Sequence, residues 1–287
     1  MSHVQFRVPG GVTLVCEISG PSDGQPVILL HGAGQTRSSW SDTVAALTHC
    51  GFCTVAVDLR GHGESGWAPD GDYSMDALVD DVRAVASQFD KPAMLVGASM
   101  GGLAALAAAG EHPAVDCVAL VLVDVTPRIS IAGSQRIIEF MRTGIEGWPS
   151  LEVAARAISR FLPSSSQNRG SERLLKNLRK CDDGYWRWHW DPAFLDPESL
   201  HLTRGTPERF ESAAGNVSNP VLLIRGGSSE LVDENDAREF FRVVPHAQYV
   251  EIDNATHAVT EDKRQIATRS IIKFLSRIGS PSRSDSY

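Results

Sequence analysis

The chain runs to 287 residues, with 42% hydrophobic and 22% charged side chains, a composition that suits a globular fold with a sizeable core. A net charge of −8 gives no electrostatic reason to hold a polyanion, so nucleic acid is not an expected partner. No stretch approaches the roughly 18 uninterrupted apolar residues of a membrane span, and Met1-Ser2-His3-Val4-Gln5 lacks the layout of a signal peptide, so a cytoplasmic location with no membrane attachment is expected.

Strand-like and helix-like runs alternate, the pattern of an α/β fold with a mostly parallel sheet and helices on both faces. Val4 to Val8 and Val12 to Ile18, separated by Pro9-Gly10-Gly11, read as an antiparallel entry hairpin. Pro26 to Leu30 is a continuous apolar run suited to a strand buried on both faces, and it ends at His31-Gly32-Ala33-Gly34. Trp40 to Cys50 predicts a helix and Cys53 to Val57 a strand, followed by a helix over Ser74 to Phe89 that opens on a capping Ser and an early Asp76. Met94 to Val96 runs straight into Gly97-Ala98-Ser99-Met100-Gly101-Gly102 and an Ala-rich helix to Gly110, and Val118 to Val123 is the sixth strand.

From about Thr126 to Asn219 the periodicity turns helical, broken by Pro and Gly, with no convincing strand. This predicts a helical cap at 126–218 inserted into a core formed by 1–125 and 219–279. The core resumes with strands at Val221 to Ile224 and Gln248 to Ile252, and helices at Asp233 to Val243 and Gln265 to Arg277. The Ser-rich tail at 280–287 is expected to be disordered. The cap carries four of the six tryptophans, concentrated in Tyr185-Trp186-Arg187-Trp188-His189-Trp190. Two readings stay open for this knot. It can glue the cap to the core, or it can line a pocket, with Trp186 and Trp188 as the candidate substrate-binding residues. An exposed face of Trp186, Trp188 and Trp190 would also suit a homodimer.

The chemistry centres on Gly97-Ala98-Ser99-Met100-Gly101, a G-x-S-x-G between a buried strand and a helix start. That context places Ser99 on a sharp turn as a candidate nucleophile, with the helix N-terminus favouring developing negative charge. A serine hydroxyl needs a base, and of nine histidines His257 follows the last strand in a short loop from which a side chain reaches the sheet edge. His31 and His62 read as loop architecture. The histidine in turn needs a carboxylate. Glu230, beyond the strand at Leu222-Leu223-Ile224, is favoured, and Asp124, at the end of the preceding strand, stays open as the alternative. Backbone donors for an oxyanion are expected from Met100, after the nucleophile, and Ala33, in the Gly-rich loop. Cys50 and Cys53 form a C-x-x-C just before an apolar run, where buried thiols are expected in preference to a metal or redox site.

Taken together, His31-Gly32-Ala33-Gly34, Asp58-Leu59-Arg60-Gly61-His62-Gly63-Glu64-Ser65, the Ser99 elbow, the Arg225-Gly226-Gly227 to Glu230 segment and the His257 loop resemble the capped members of the α/β-hydrolase superfamily. The resemblance implies an eight-stranded sheet with a helical cap after strand six, and a reaction that needs neither metal nor organic cofactor. In such members the loop from Asp58 to Ser65 shapes the turn below the active site. Serine at the elbow disfavours the aspartate-nucleophile branches. What it implies is hydrolysis of a carboxylic ester or lactone through an acyl-enzyme on Ser99. Carbon-carbon hydrolysis or perhydrolysis by the same triad, or a slow-turnover small-molecule receptor, are the alternatives. The sequence departs from the pattern at Glu230, where Asp is commoner, at Thr256, where glycine is frequent, and at Ala33, which interrupts the glycine run.

Overall fold

The computed structural model describes residues 2–160 and 177–279; the tail at 280–287 lies outside the described residues. Ten strands are described: β1 Ser2–Arg7, β2 Thr13–Ser19, β3 Pro26–Leu30, β4 Cys53–Val57, β5 Ala93–Ala98, β6 Cys117–Val123, β7 Leu178–Lys180, β8 Trp186–Trp188, β9 Val221–Gly226 and β10 Gln248–Ile252. Eight of them form one sheet in the order β1-β2-β4-β3-β5-β6-β9-β10. The β1–β2 and β2–β4 pairs are antiparallel and every other pair is parallel.

The central strands are apolar runs because both of their faces are covered. Along β3, Val27 and Leu29 pack on one side with Trp40, Val44 and Leu47 of the first helical layer. Ile28 and Leu30 pack on the other with residues such as Leu78 and Leu103. That alternation is the two-residue period of a strand. Helix α1 (Ser41–His49) and the C-terminal helix Arg264–Gly279 cover the first face. The second is covered by α2 (Met75–Ala86) and α3 (Met100–Gly110).

After β4 the chain crosses β3 to lay down β5, so the strand order reverses between β3 and β5. The loops leaving their C-terminal ends diverge there and open a crevice, the usual ligand position in open α/β sheets. The loop after β3 is His31–Gly34, and the residue after β5 is Ser99.

Between β6 and β9 the described elements are α4 (Ile131–Arg142), α5 (Leu151–Ser159), a two-stranded hairpin of β7 and β8, α6 (Pro197–Arg204) and α7 (Pro207–Asn216). The hairpin corrects the expectation that this segment holds no strand. It is three residues per side, and its turn has Gly184 at φ 84°, with the Cys181 and Tyr185 backbones hydrogen bonded at 2.8 Å. The Asp183-Gly184 pair is the local signal for such a turn, but strands this short carry too little alternation to be read as strands. Helix α7 packs against α3, burying Phe210, Ala213 and Ala214.

Candidate active site

Ser99 adopts φ 49° and ψ −121°, a conformation that side chains rarely take. The turn is held because its neighbours lack side chains. A Cβ on Gly97 would lie 2.4 Å from the Gly101 carbonyl oxygen, and one on Gly101 would lie 2.5 Å from that of His31. The Ser99 N–H donates to Val123 O at 3.1 Å, and its carbonyl accepts from Gly102 and Leu103, so strand and helix are joined through the strained residue itself. The hydroxyl is thereby lifted above the edge of the sheet.

His257 Nε2 lies 3.1 Å from Ser99 Oγ. Its loop is clamped from below, since both the N–H and the hydroxyl of Thr256 donate to Asp262 Oδ2, at 3.0 and 2.5 Å. Thr256 thus has a partner that the commoner glycine could meet only through its backbone. The backbone of Ala255 and Thr256 also packs against Gly226 at the end of β9, where a Cβ would lie within 2.7 Å of both carbonyl oxygens.

The carboxylate on the other side of the imidazole is Asp124, which corrects the preference for Glu230. His257 Nδ1 is 2.7 Å from Asp124 Oδ2. Asp124 is fully buried, stands at φ 51° directly after β6, and accepts two further hydrogen bonds, from Gly226 N at 2.7 Å and Ser229 Oγ at 2.6 Å. Glu230 is exposed, and no hydrogen bond joins it to His257. The physical reason is the path of the chain after β9. It turns back at Ser229, whose hydroxyl caps Leu231 N and Val232 N, and this carries Glu230 away from the sheet edge.

In the loop after β3, Gly32 N donates to Gln35 Oε1, Gly34 N to His62 Nε2 and Gln35 N to Gly32 O, each at 3.1 Å. Among the described residues the Ala33 N–H has no such partner. Met100 heads α3, where backbone N–H groups lack intrahelical acceptors. His31 and His62 are structural, as expected. Burial pushes His31 down to about 4 and His62 to about 3, and each neutral ring accepts a backbone N–H, from Leu59 and Gly34 respectively.

A cleft opens beside Ser99 in two lobes that share Ala33, Ser99 and Ile137. The larger, about 90 Å³, has an aliphatic and aromatic wall that includes Leu103, Val125, Ile138, Met141, Phe194 and Leu231. The smaller, about 70 Å³, is bounded by Gln35, His257, Ala258 and Thr260.

Trp186 and Trp188 line neither lobe, so their expected substrate-binding role is corrected. Trp188 is buried, stacks on Trp190 at 4.5 Å between ring centroids, meets Trp148 edge-on, and donates from Nε1 to Thr143 O at 2.6 Å. Trp186 pairs by its backbone with Trp148. Trp188 and Trp190 are buried and serve as internal glue, while Trp186 is half-buried and Tyr185 exposed. Of the C-x-x-C pair, Cys50 is exposed and Cys53 buried in β4; both are free. Among the described residues no group of His, Cys, Asp and Glu is arranged to hold a metal ion, and no helix is long and apolar enough to cross a membrane.

A strained serine at a β5–α3 elbow, a histidine after the last strand and a buried aspartate after β6, on this strand order, define a class of fold and site. The chain belongs to the α/β hydrolase family, whose sequence profile matches residues 27–269, and it is a hydrolase. It is 31% identical over 245 residues to the esterase Rv0045c of Mycobacterium tuberculosis, covering 83% of this chain and 78% of that one. A crystal structure of that esterase superposes with a TM-score of 0.72 at 28% identity, over 96% of this chain and 92% of the other. The 3-hydroxybutyrate-oligomer hydrolase of Cupriavidus necator is 27% identical over 287 residues, 93% of this chain and 95% of that one.

Proposed function

We propose that this protein is a serine hydrolase that cleaves a carboxylic ester or lactone through an acyl-enzyme on Ser99. The observation that carries the reading is the unbroken line from Ser99 Oγ through the two nitrogens of His257 to Asp124 Oδ2, at 3.1 and 2.7 Å. The buried carboxylate holds the tautomer with the proton on Nδ1, which leaves the Nε2 lone pair to take the Ser99 proton as Oγ attacks the carbonyl. The tetrahedral oxyanion is met by the N–H groups of Ala33 and Met100. His257 then returns the proton to the departing oxygen, and water activated by the same imidazole releases the acid. The esterase among the relatives favours the ester bond as the target.

The test is steady-state hydrolysis of p-nitrophenyl esters of graded chain length and simple lactones, with Ser99→Ala alongside wild type. Multiple turnover that falls by at least a thousandfold in the variant is expected. Equal rates in both, or no turnover by wild type, would refute the ester reading.

A further inference from the structure

Given the serine-hydrolase reading, on which it rests, we infer that the larger lobe selects acyl groups that end in a carboxylate, and that Arg204 is the side chain that recognises it. The direction of the substrate follows from proton chemistry. The imidazole that protonates the departing oxygen must lie beside it, so the leaving group occupies the smaller lobe, where His257 forms part of the wall. The acyl group then enters the larger lobe, which His257 does not line.

That lobe is apolar close to Ser99, with Leu103 and Val125 in its wall, and its remaining lining is aliphatic or aromatic except at Ser134, Thr203 and Arg204. The Thr203 hydroxyl is already committed to the carbonyls of Tyr73 and Ser199. Ser134 and Arg204 are left, from α4 and the last residue of α6, and they meet at 3.4 Å from guanidinium nitrogen to hydroxyl oxygen. No acidic residue lines the lobe, and Arg204 has no carboxylate partner among the described residues. Three other arginines have carboxylate partners: Arg37 pairs with Asp58 and Glu64, Arg128 with Glu211 and Arg187 with Asp183. Arg204 is exposed, and its guanidinium fork with a hydroxyl beside it, on the rim of an otherwise apolar lobe, is complementary to a carboxylate carried on a hydrocarbon chain. The substrate class is therefore the monoester of a linear dicarboxylic acid, or an ester of similar shape and charge.

The experiment compares the mono-p-nitrophenyl ester of suberic acid with p-nitrophenyl octanoate, which has the same chain length and no terminal charge. The readout is the ratio of their kcat/KM values within each protein, which cancels any loss of folded enzyme. Arg204→Gln is expected to lower the suberate-to-octanoate ratio about tenfold, mainly through KM, the effect of one charge-assisted contact at a partly solvated site. Arg204→Lys is expected to recover part of it, and about 0.5 M salt to lower the wild-type ratio. Ser99-dependent turnover of both esters with a ratio unchanged in Arg204→Gln overturns this inference and leaves the esterase reading standing. Turnover of neither, or turnover that survives in Ser99→Ala, overturns the esterase reading and the inference with it.

Discussion

Replacing Asp124 by Asn changes one atom at the point where three hydrogen bonds converge. Oδ1 accepts from Gly226 N, and Oδ2 accepts from both Ser229 Oγ and His257 Nδ1. An amide has one acceptor and one donor, so its NH₂ must face one of these groups. Turned towards Gly226 it opposes a backbone N–H in a fully buried site, which costs about 1–3 kcal/mol for an unmet donor. Turned the other way it forces His257 to carry its proton on Nε2, where it can no longer accept from Ser99. The second arrangement is the less costly, because the imidazole can change tautomer and the backbone cannot. The expected result is a fall in kcat of about ten-thousandfold with only a small loss of stability. Glu230→Gln is exposed and joined to none of these atoms, so its kcat/KM is expected to stay within about twofold. Ester hydrolysis at saturating substrate, with thermal unfolding alongside, reads both. A large loss in Glu230→Gln with Asp124→Asn near wild type would refute the assignment of the acid.

Three further outcomes follow from packing and charge. His31 and His62, held down to about 4 and about 3 by burial, titrate near 6.5 when unfolded, so below pH 6.5 the unfolded chain binds more protons and stability falls with pH. The pair is expected to remove about 4 kcal/mol between pH 7 and pH 5; equal denaturant midpoints at the two pH values would contradict it. Gly101→Ala places a methyl 2.5 Å from the His31 carbonyl and 2.6 Å from that of Leu30. It is expected to lower the unfolding temperature and abolish labelling of Ser99 by a fluorophosphonate, and normal labelling would show that the elbow tolerates the side chain. Trp188→Phe should weaken the cap while leaving chain-length preference intact, whereas Ile137→Ala, at the junction of both lobes, should shift it; the reverse pattern in an ester panel would return Trp188 to the substrate.

The sheet and the elbow were legible because their signals are local. Five consecutive apolar residues in β3, and four of five in β4, state their own burial, and the glycines around Ser99 answer to contacts made within a strand, a turn and a helix start. The carboxylate that meets His257 was not legible. Asp124 and Glu230 both follow sheet strands, and what separates them is the left-handed backbone at Asp124 and the turn fixed by Ser229, neither of which changes the residue pattern. The tryptophans failed for a related reason. Their apolar area requires contact but does not say with what, and only the stack of Trp188 on Trp190 assigns it to the protein itself. Part of the wall that does face Ser99 comes from α4, where Ile137, Ile138 and Met141 look like any amphipathic helix facing a core.

The histidines show why one imidazole in this region is available for chemistry. Glycine-rich loops offer no side chains by which to fix themselves, and here three buried rings do it for them. His31 accepts from Leu59 N, His62 from Gly34 N and His189 from Gly63 N. Each must be neutral to accept, and burial enforces that by holding all three below the usual histidine range. His257 differs in both respects. Its side chain keeps 19% of its exposure, and its partners are the side chains of Asp124 and Ser99, with no backbone donor spending the Nε2 lone pair. A ring that holds a loop cannot also exchange a proton without releasing that loop. In the proposed mechanism the loop that carries Ala33 and the base are therefore served by separate histidines: Gly34 stays bonded to His62 whatever proton His257 takes from Ser99.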